Sequence, residues 1–409
     1  MAYTPRHAQD KFLRMSSFFK VVLITGARQV GKTTMLKELA QGTDRTYVSL
    51  DDHQARLLAK TDPNAFFQLY PLPIIIDEVQ YAPELFSQIK LLVDNTDETG
   101  AIWLTGSQSY AMMKGVNESL AGRIGIMEMF SMTHSEKHQL PFTFFEDFSL
   151  ESLLEREKHR VVMDMPQVYA HILEGGMPQV QEAPADLHQN YFSSYVNSYI
   201  MRDVLELGGI SDSVRFFKFL TACAALTSQQ VNYATLAESA DIAQTTAKTW
   251  LNLLVGLGVV YLLQPYATNT LKRISKTPKL YFCDTGLAAY LSHWKTVDQL
   301  MTGAVSGAFF ENAVIIDIMK NQSYGATTLE LSYYRDSNGK EIDLILDRAD
   351  VAYPFEIKRS ANPDNREIKK FEVLATATKK QGYGGIICLC QQVYPIPNST
   401  AAKIPYGLF

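Results

Sequence analysis

The sequence predicts an α/β chain whose first part is a parallel sheet covered by helices on both faces. Three observations predict it. Short apolar runs recur: KVVLITG at 20–26, TYVSL at 46–50, PIIID at 73–77 and AIWLTG at 101–106. These have the length and β-branched content of buried strands. A helix-like stretch, KTTMLKELA at 32–40, follows the first of them, and strands alternating with helices imply parallel pairing. The first strand also runs into GARQVGKT at 26–33, a glycine-bearing loop between strand and helix.

GIMEMF at 125–130 is a further strand candidate, and the first domain is expected over 1–145. A charged connection precedes a second domain at 165–290, with GGMP at 175–178 as a turn. There SVRFFKFLTACAALT at 213–227 has helical spacing. Two short helices, a third stopped by Gly258 and a strand follow. That order fits a winged helix-turn-helix. A third domain, 295–409, has a helix at 307–320 and strands at 329–335, 341–346 and 352–358. A helix at 365–377 and a strand at 384–390 complete its α/β pattern.

Several classes are excluded. With 409 residues, 21 Phe and 21 Tyr, the chain is not mainly disordered. Its apolar runs fall short of the roughly 18 residues a membrane helix needs. The N-terminus has no apolar signal region, so the cytoplasm is the expected location. The net charge of −5 excludes a basic nucleic-acid sponge but not a local basic patch. The four cysteines, Cys223, Cys283, Cys388 and Cys390, form no CxxC pair and read as buried reduced thiols. No histidine cluster is found at zinc spacing.

GARQVGKT matches GxxxxGK[ST] in full, in its required strand–helix context. The expected nucleotide-binding residues are Gly26, Ala27, Arg28, Gln29, Val30, Gly31, Lys32, Thr33 and Thr34. Gly26 and Gly31 let the backbone curl so that its N–H groups face a phosphate, reinforced by the helix N-terminus. Lys32 would neutralise the β- and γ-phosphates of ATP, and the Thr33 hydroxyl would ligate Mg2+. IIIDE at 74–78 delivers Asp77 to the sheet's carboxyl edge to hold the metal, with Glu78 as general base for water. Ser107 or Gln108, ending the next strand, would sense the γ-phosphate. Arg123 is a candidate arginine finger, in cis or from a neighbouring subunit, so an oligomer stays open. Arg28 either touches phosphate or closes the site.

GARQVGKTT, IIIDEVQ, LTGSQ, SLAGRI, LEGGMP, YIMRDV, KTPKLYFCDTGLAAYL and FEIKRS occur in this order. On these motifs the chain resembles the prokaryotic AAA-type ATPases that carry a C-terminal DUF4143 domain. The likeness extends over nearly the whole chain. It implies a P-loop ATPase core with an additional strand, a winged-helix middle and a nuclease-like end.

In the third domain, Glu311 sits on a helix, Asp343 in a strand, and Glu356 and Lys358 on one face of the next strand. Gathered carboxylates bind Mg2+, and a nearby lysine orients water or stabilises phosphate charge. The pattern is similar to the PD-(D/E)XK nuclease arrangement, which makes the expected third fold restriction-endonuclease-like. Glu341 is expected to face away from Asp343. In the middle domain, Lys272, Arg273, Lys276 and Lys279 form a basic run suited to a DNA backbone. The expected function is ATP hydrolysis coupled to nucleic-acid binding. The alternatives are an ATP-dependent nuclease and a nucleotide-switched protein-binding module that cuts nothing.

Overall fold

The structure, a computed structural model, describes residues 3–107, 120–142, 148–208, 210, 212–266, 277–326, 329–336, 338–348, 350–376 and 380–409. It divides into two compact units. Unit 1 comprises 1–132 with 256–259, and unit 2 comprises 133–255 with 260–409.

Unit 1 holds strands β1 (Val21–Thr25), β2 (Thr46–Ser49), β3 (Ile74–Asp77), β4 (Ile102–Thr105) and β5 (Ile124–Glu128). They pair in parallel in the order β2-β3-β4-β1-β5. Every residue of β1, β3 and β4 is buried, which is why they read as unbroken apolar runs. The inserted strand β4 separates β1 from β3, as the resemblance implies.

Among the described residues of unit 1, the α-helices are α1 (Ala8–Ser16), α2 (Lys32–Leu39), α3 (His53–Thr61), α4 (Pro63–Leu69) and α5 (Leu85–Asp94). Asp52 and Asp62 start α3 and α4 by accepting from the amides of Ala55 and Ala65, at 2.8 and 2.9 Å. Phe66, Phe86 and Ile89 pack with Leu23, Ile76 and Leu104 in one core. Each such side chain contributes about 1.5–3 kcal/mol on burial, so the loops at the sheet's carboxyl edge stand on a rigid floor.

Unit 2 contains the helices Met165–Glu174, Ser213–Ala225 and Tyr233–Ala240. The next helix, Gln244–Gly256, is followed by Gly258 at φ +68°, the stop expected from sequence. Then come β6 (Val260–Pro265) and β7 (Lys279–Phe282), an antiparallel pair. The helix Ser306–Tyr324 is buried along most of its length.

The remaining strands are β8 (Glu330–Arg335), β9 (Glu341–Arg348), β10 (Val351–Lys358), β11 (Lys380–Gln381), β12 (Gly384–Cys388), β13 (Tyr394–Pro395) and β14 (Ala401–Pro405). They join β6 and β7 in one mixed sheet, ordered β13-β14-β12-β10-β9-β8-β6-β7, with β11 on β10. The parallel link from β6 to β8 pairs Gln264 with Ser332. The middle and C-terminal regions therefore pack as one body. Residues Asn365–Thr376 form a 3-10 helix where the sequence suggests a helix. All four cysteines are buried and reduced. Among the described residues no helix is long and apolar enough to cross a membrane.

Candidate nucleotide and carboxylate sites

The loop after β1 has the geometry its glycines predict. Gly26 lies at φ +131°, and a Cβ there would sit 2.0 Å from the Met129 carbonyl oxygen. Gly31 adopts φ +99° and caps α2. Gln29, at φ 61°, shares the left-handed turn. Lys32 is buried and its Nζ donates to the carbonyls of Gly26 and Ala27, at 2.8 and 2.7 Å. The amine thus lies inside the curl of the loop. Thr34 is exposed on the first turn of α2.

Asp77, at the end of β3, is the hub beside the loop. Its Oδ1 accepts from Thr33 Oγ1 at 2.8 Å and from the Thr105 hydroxyl, and its Oδ2 accepts from Tyr47 Oη at 2.9 Å. Burial and the Asp77 charge together push the Tyr47 phenol above its usual range. Thr33 and Asp77 form an all-oxygen donor pair, the chemistry that suits Mg2+.

Glu78 takes a left-handed backbone at φ 57°, and its amide donates to Thr105 Oγ1 at 3.1 Å. Gln80 links it to the neighbouring strand. The Gln80 amide donates to Glu78 Oε2 and, at 3.0 Å, to Ser107 Oγ. Ser107 therefore belongs to the same cluster. Arg28 reaches Tyr81 Oη at 3.2 Å, so it closes the loop against the segment after β3. Gln108 lies outside the described residues.

Arg123 is corrected as a cis finger. It precedes β5, and its carbonyl accepts from the amide of Val21 at the amino end of β1. The phosphate loop leaves the other end of β1, where Thr25 pairs with Glu128. A strand of this length separates them by roughly 16 Å. The guanidinium instead pairs with Asp94, with Nη2–Oδ2 at 3.1 Å.

Further residues beside the loop escaped the sequence reading. Thr105 and Tyr47 hold Asp77, as above. Arg6 is buried and donates to the carbonyls of Val30 and Phe130 at 2.6 and 2.8 Å, bracing the loop from behind. A fourth, Glu128, ends β5 beside the loop, where desolvation pushes its carboxyl up to about 7 against the pull of Lys32. Only the motif-like LTGS ending of β4 gave any signal for Thr105.

In unit 2 the four predicted carboxylate-site residues come together. Glu311 Oε1 accepts from Lys279 Nζ at 2.9 Å and from Tyr281 Oη at 2.7 Å. Burial raises Glu311 to about 7, with Lys279 opposing and Asp343 adding to the rise. Asp343 Oδ2 accepts from the Ile357 amide at 2.8 Å. Glu356 is fully buried, with Lys358 at 3.1 Å and Lys370 at 2.9 Å from Oε2. Burial, then the charge of Asp343, raises Glu356 to about 7. Its Oε1 is buried with no hydrogen-bond partner, so a cation-accepting oxygen is in place. Lys370, on the 3-10 helix, was not foreseen.

Lys279 needs correction as a DNA contact. It is 3% exposed and held between Glu311 and Glu341, so it faces the interior. Lys272, Arg273 and Lys276 lie outside the described residues. Glu341 is also corrected. Residues two apart on a strand share a face, and Glu341 joins Lys279, whose charge Asp343 also stabilises. A polar cleft of about 860 Å³ adjoins this group, lined among others by Gln230, Gln244, Thr277, Lys279, Arg335 and Glu341.

The raised carboxyls carry a pH signature. Glu311 and Glu356 are proton-retaining in the folded state, so their contribution to stability is present below about pH 4.5 and is lost as pH rises towards 7. Thermal melts between pH 5 and 8 should show the unit 2 transition falling over that window. Glu356→Gln should flatten the slope; an unchanged slope would remove Glu356 as its source.

Residues 18–138 match the AAA domain family, 165–298 a domain of unknown function, DUF8612, and 306–407 another, DUF4143. An uncharacterized protein of Mycobacterium tuberculosis is 29% identical over 362 residues, covering 88% of this chain and 74% of the relative. An uncharacterized protein of Methanocaldococcus jannaschii is 21% identical over 360 residues, covering 80% and 73%. Among solved structures, a Walker-type ATPase of Pyrococcus abyssi aligns at TM-score 0.42 and 14% identity, over 71% of this chain and 96% of that one. The chain thus carries a region matching the AAA domain family at 18–138 and one matching DUF4143 at 306–407.

Proposed function

We propose that unit 1 binds ATP with Mg2+ and hydrolyses it, and that nucleotide state is coupled to nucleic-acid binding by unit 2. The observation that carries the first part is the Thr33–Asp77 hydrogen bond beside a phosphate-type loop with Lys32 folded into it. On this reading Thr33 and Asp77 hold the metal, which neutralises charge on the β- and γ-phosphates when bound. Lys32 leaves the loop carbonyls for phosphate oxygens. Glu78 takes a proton from the attacking water, and Gln80 and Ser107 fix the position of its carboxylate. Arg123 serves only as a finger offered to a neighbouring subunit. Magnesium-dependent release of phosphate from ATP by the full chain tests the reading. Release no faster than in buffer rejects it.

A second reading, supported by the gathered Glu311, Asp343, Glu356 and Lys358, is a restriction-endonuclease-like site in the third domain, 295–409. Its unpaired Glu356 oxygen and raised carboxyls suit a divalent ion. The adjoining polar cleft and the three helices before the β6–β7 pair, read as a winged helix, would present DNA to it. Asp343→Ala should abolish magnesium-dependent nicking of DNA and leave ATP turnover intact. No nicking by the wild type of any DNA or RNA form would favour the protein-binding module instead.

A further inference from the structure

Unit 2 contains a histidine group that neither nucleotide nor carboxylate chemistry uses. Thr133 opens a short helix, His134–Lys137, through a capping box with Glu136. His138 follows directly, so His134 and His138 stand four residues apart and project from one side of that turn. His171 comes from the helix Met165–Glu174. The His134 ring centroid lies 4.5 Å from that of His138 and 5.0 Å from that of His171. One ring nitrogen from each of the three falls within 4.8 Å of the others.

His134 makes this group more than a stack of rings. It is 0% exposed, and neither of its ring nitrogens has a hydrogen-bond partner. A buried neutral imidazole has one donor and one acceptor nitrogen to satisfy, and each one left bare costs about 1–3 kcal/mol. The surroundings fix the residue rather than relieve it. Asp317 Oδ1 accepts from the His134 backbone amide at 3.1 Å, and its Oδ2 accepts from Tyr406 Oη at 2.7 Å. The Tyr406 ring packs 5.3 Å from the His134 ring. Lys137, the cation between the two histidines in sequence, is drawn to Glu174 at 2.7 Å and the Gly175 carbonyl at 2.9 Å. Glu174 thus offsets part of its charge.

We propose that His134, His138 and His171 bind one divalent transition-metal ion of the zinc class, clipping the segment at the start of unit 2 to the helix Met165–Glu174. Three imidazoles are the donor set such ions prefer. Tetrahedral coordination at 2.0–2.1 Å would bring the nitrogens to roughly 3.4 Å apart, a closure within reach of side-chain rotation. The ion gives the buried His134 the partner it lacks. His138 is exposed, so the ion can enter from solvent and its fourth position is taken by water. Sequence spacing alone does not disclose this set, because the third ligand lies 33 residues beyond the second.

The test uses the full chain, stripped with EDTA and titrated with Co2+. One equivalent should produce the intense visible bands of tetrahedral cobalt, and zinc should bleach them. His138→Ala, at an exposed position, should weaken cobalt binding at least tenfold, and His138→Ala with His171→Ala should abolish the bands. ATP turnover should be unchanged in both, since neither residue belongs to the nucleotide machinery. Zinc should raise the melting temperature of the wild type and leave that of the double variant where it was. The proposal is overturned if the wild type takes up less than about a tenth of an equivalent at tens of micromolar metal. It is equally overturned if folded variants, verified by circular dichroism, bind as the wild type does, because the ion would then lie elsewhere.

Discussion

Glu78→Gln should bind ATP within a few-fold of the wild type and turn it over about 10²–10⁴ times more slowly, the usual worth of a positioned general base. The substitution leaves the rest of the site alone. Glutamine keeps the length of the side chain, and its carbonyl oxygen can still accept from Gln80, which bonds Glu78 and Ser107. The left-handed backbone at this position, held by the Thr105 hydroxyl on the amide, costs both residues about the same. Thr33, Asp77 and Lys32 are untouched, so the phosphate and metal contacts persist. Only proton acceptance is removed. Nucleotide titration by calorimetry beside single-turnover phosphate release separates the two quantities. Turnover equal to the wild type would take the general-base role away from Glu78, and loss of binding would place Glu78 among the ligands instead.

Gly26→Ala should abolish nucleotide binding and lower the melting temperature of unit 1. The added methyl would meet the Met129 carbonyl oxygen at 2.0 Å, a backbone atom in the segment following β5, which cannot swing aside as a side chain could. The φ of +131° is also closed to alanine. Strain and overpacking together cost on the order of 3 kcal/mol or more. The loop can escape only by leaving the geometry in which Lys32 bonds the Gly26 and Ala27 carbonyls. Gly42→Ala is the control: it too has positive φ, but open space around the added carbon. Differential scanning fluorimetry with and without ATP reads both variants. A normal ATP-dependent shift in Gly26→Ala would show that the close approach to Met129 is dispensable for binding.

Much of the first unit was legible because its strands are buried on both faces and its loop chemistry is local. The run from Val21 to Thr33 encodes strand, turn and helix within thirteen residues, and Asp77 ends an apolar strand with Glu78 directly after it. What the sequence hid depends on long-range neighbours. Tyr47 and Thr105 reach Asp77 from other strands, and Arg6 braces a carbonyl 124 positions away. Nothing in the local pattern of either residue announces that partner. Arg123 shows the converse error. As a lone arginine it offered a candidate finger, yet the register of β5 on β1 puts it at the wrong end of the sheet to act in cis. In the second unit, the shared face of Glu356 and Lys358 was readable from strand periodicity, and Glu311 and Asp343 joined them through the likeness to the PD-(D/E)XK pattern. The burial of Lys279 was not, because a lysine in a charged run looks solvated until its two glutamates are located.

The parallel link between β6 and β8 has a consequence for how this chain can be divided. Gln264 and Pro265 find their partners in Ser332 and Tyr333, so the backbone amides and carbonyls along that side of β6 are capped only by residues further down the chain. A fragment stopped near 298 would leave them bare, a template for pairing with other copies. Its failure in solution would then reflect an uncapped strand margin rather than any lack of a core.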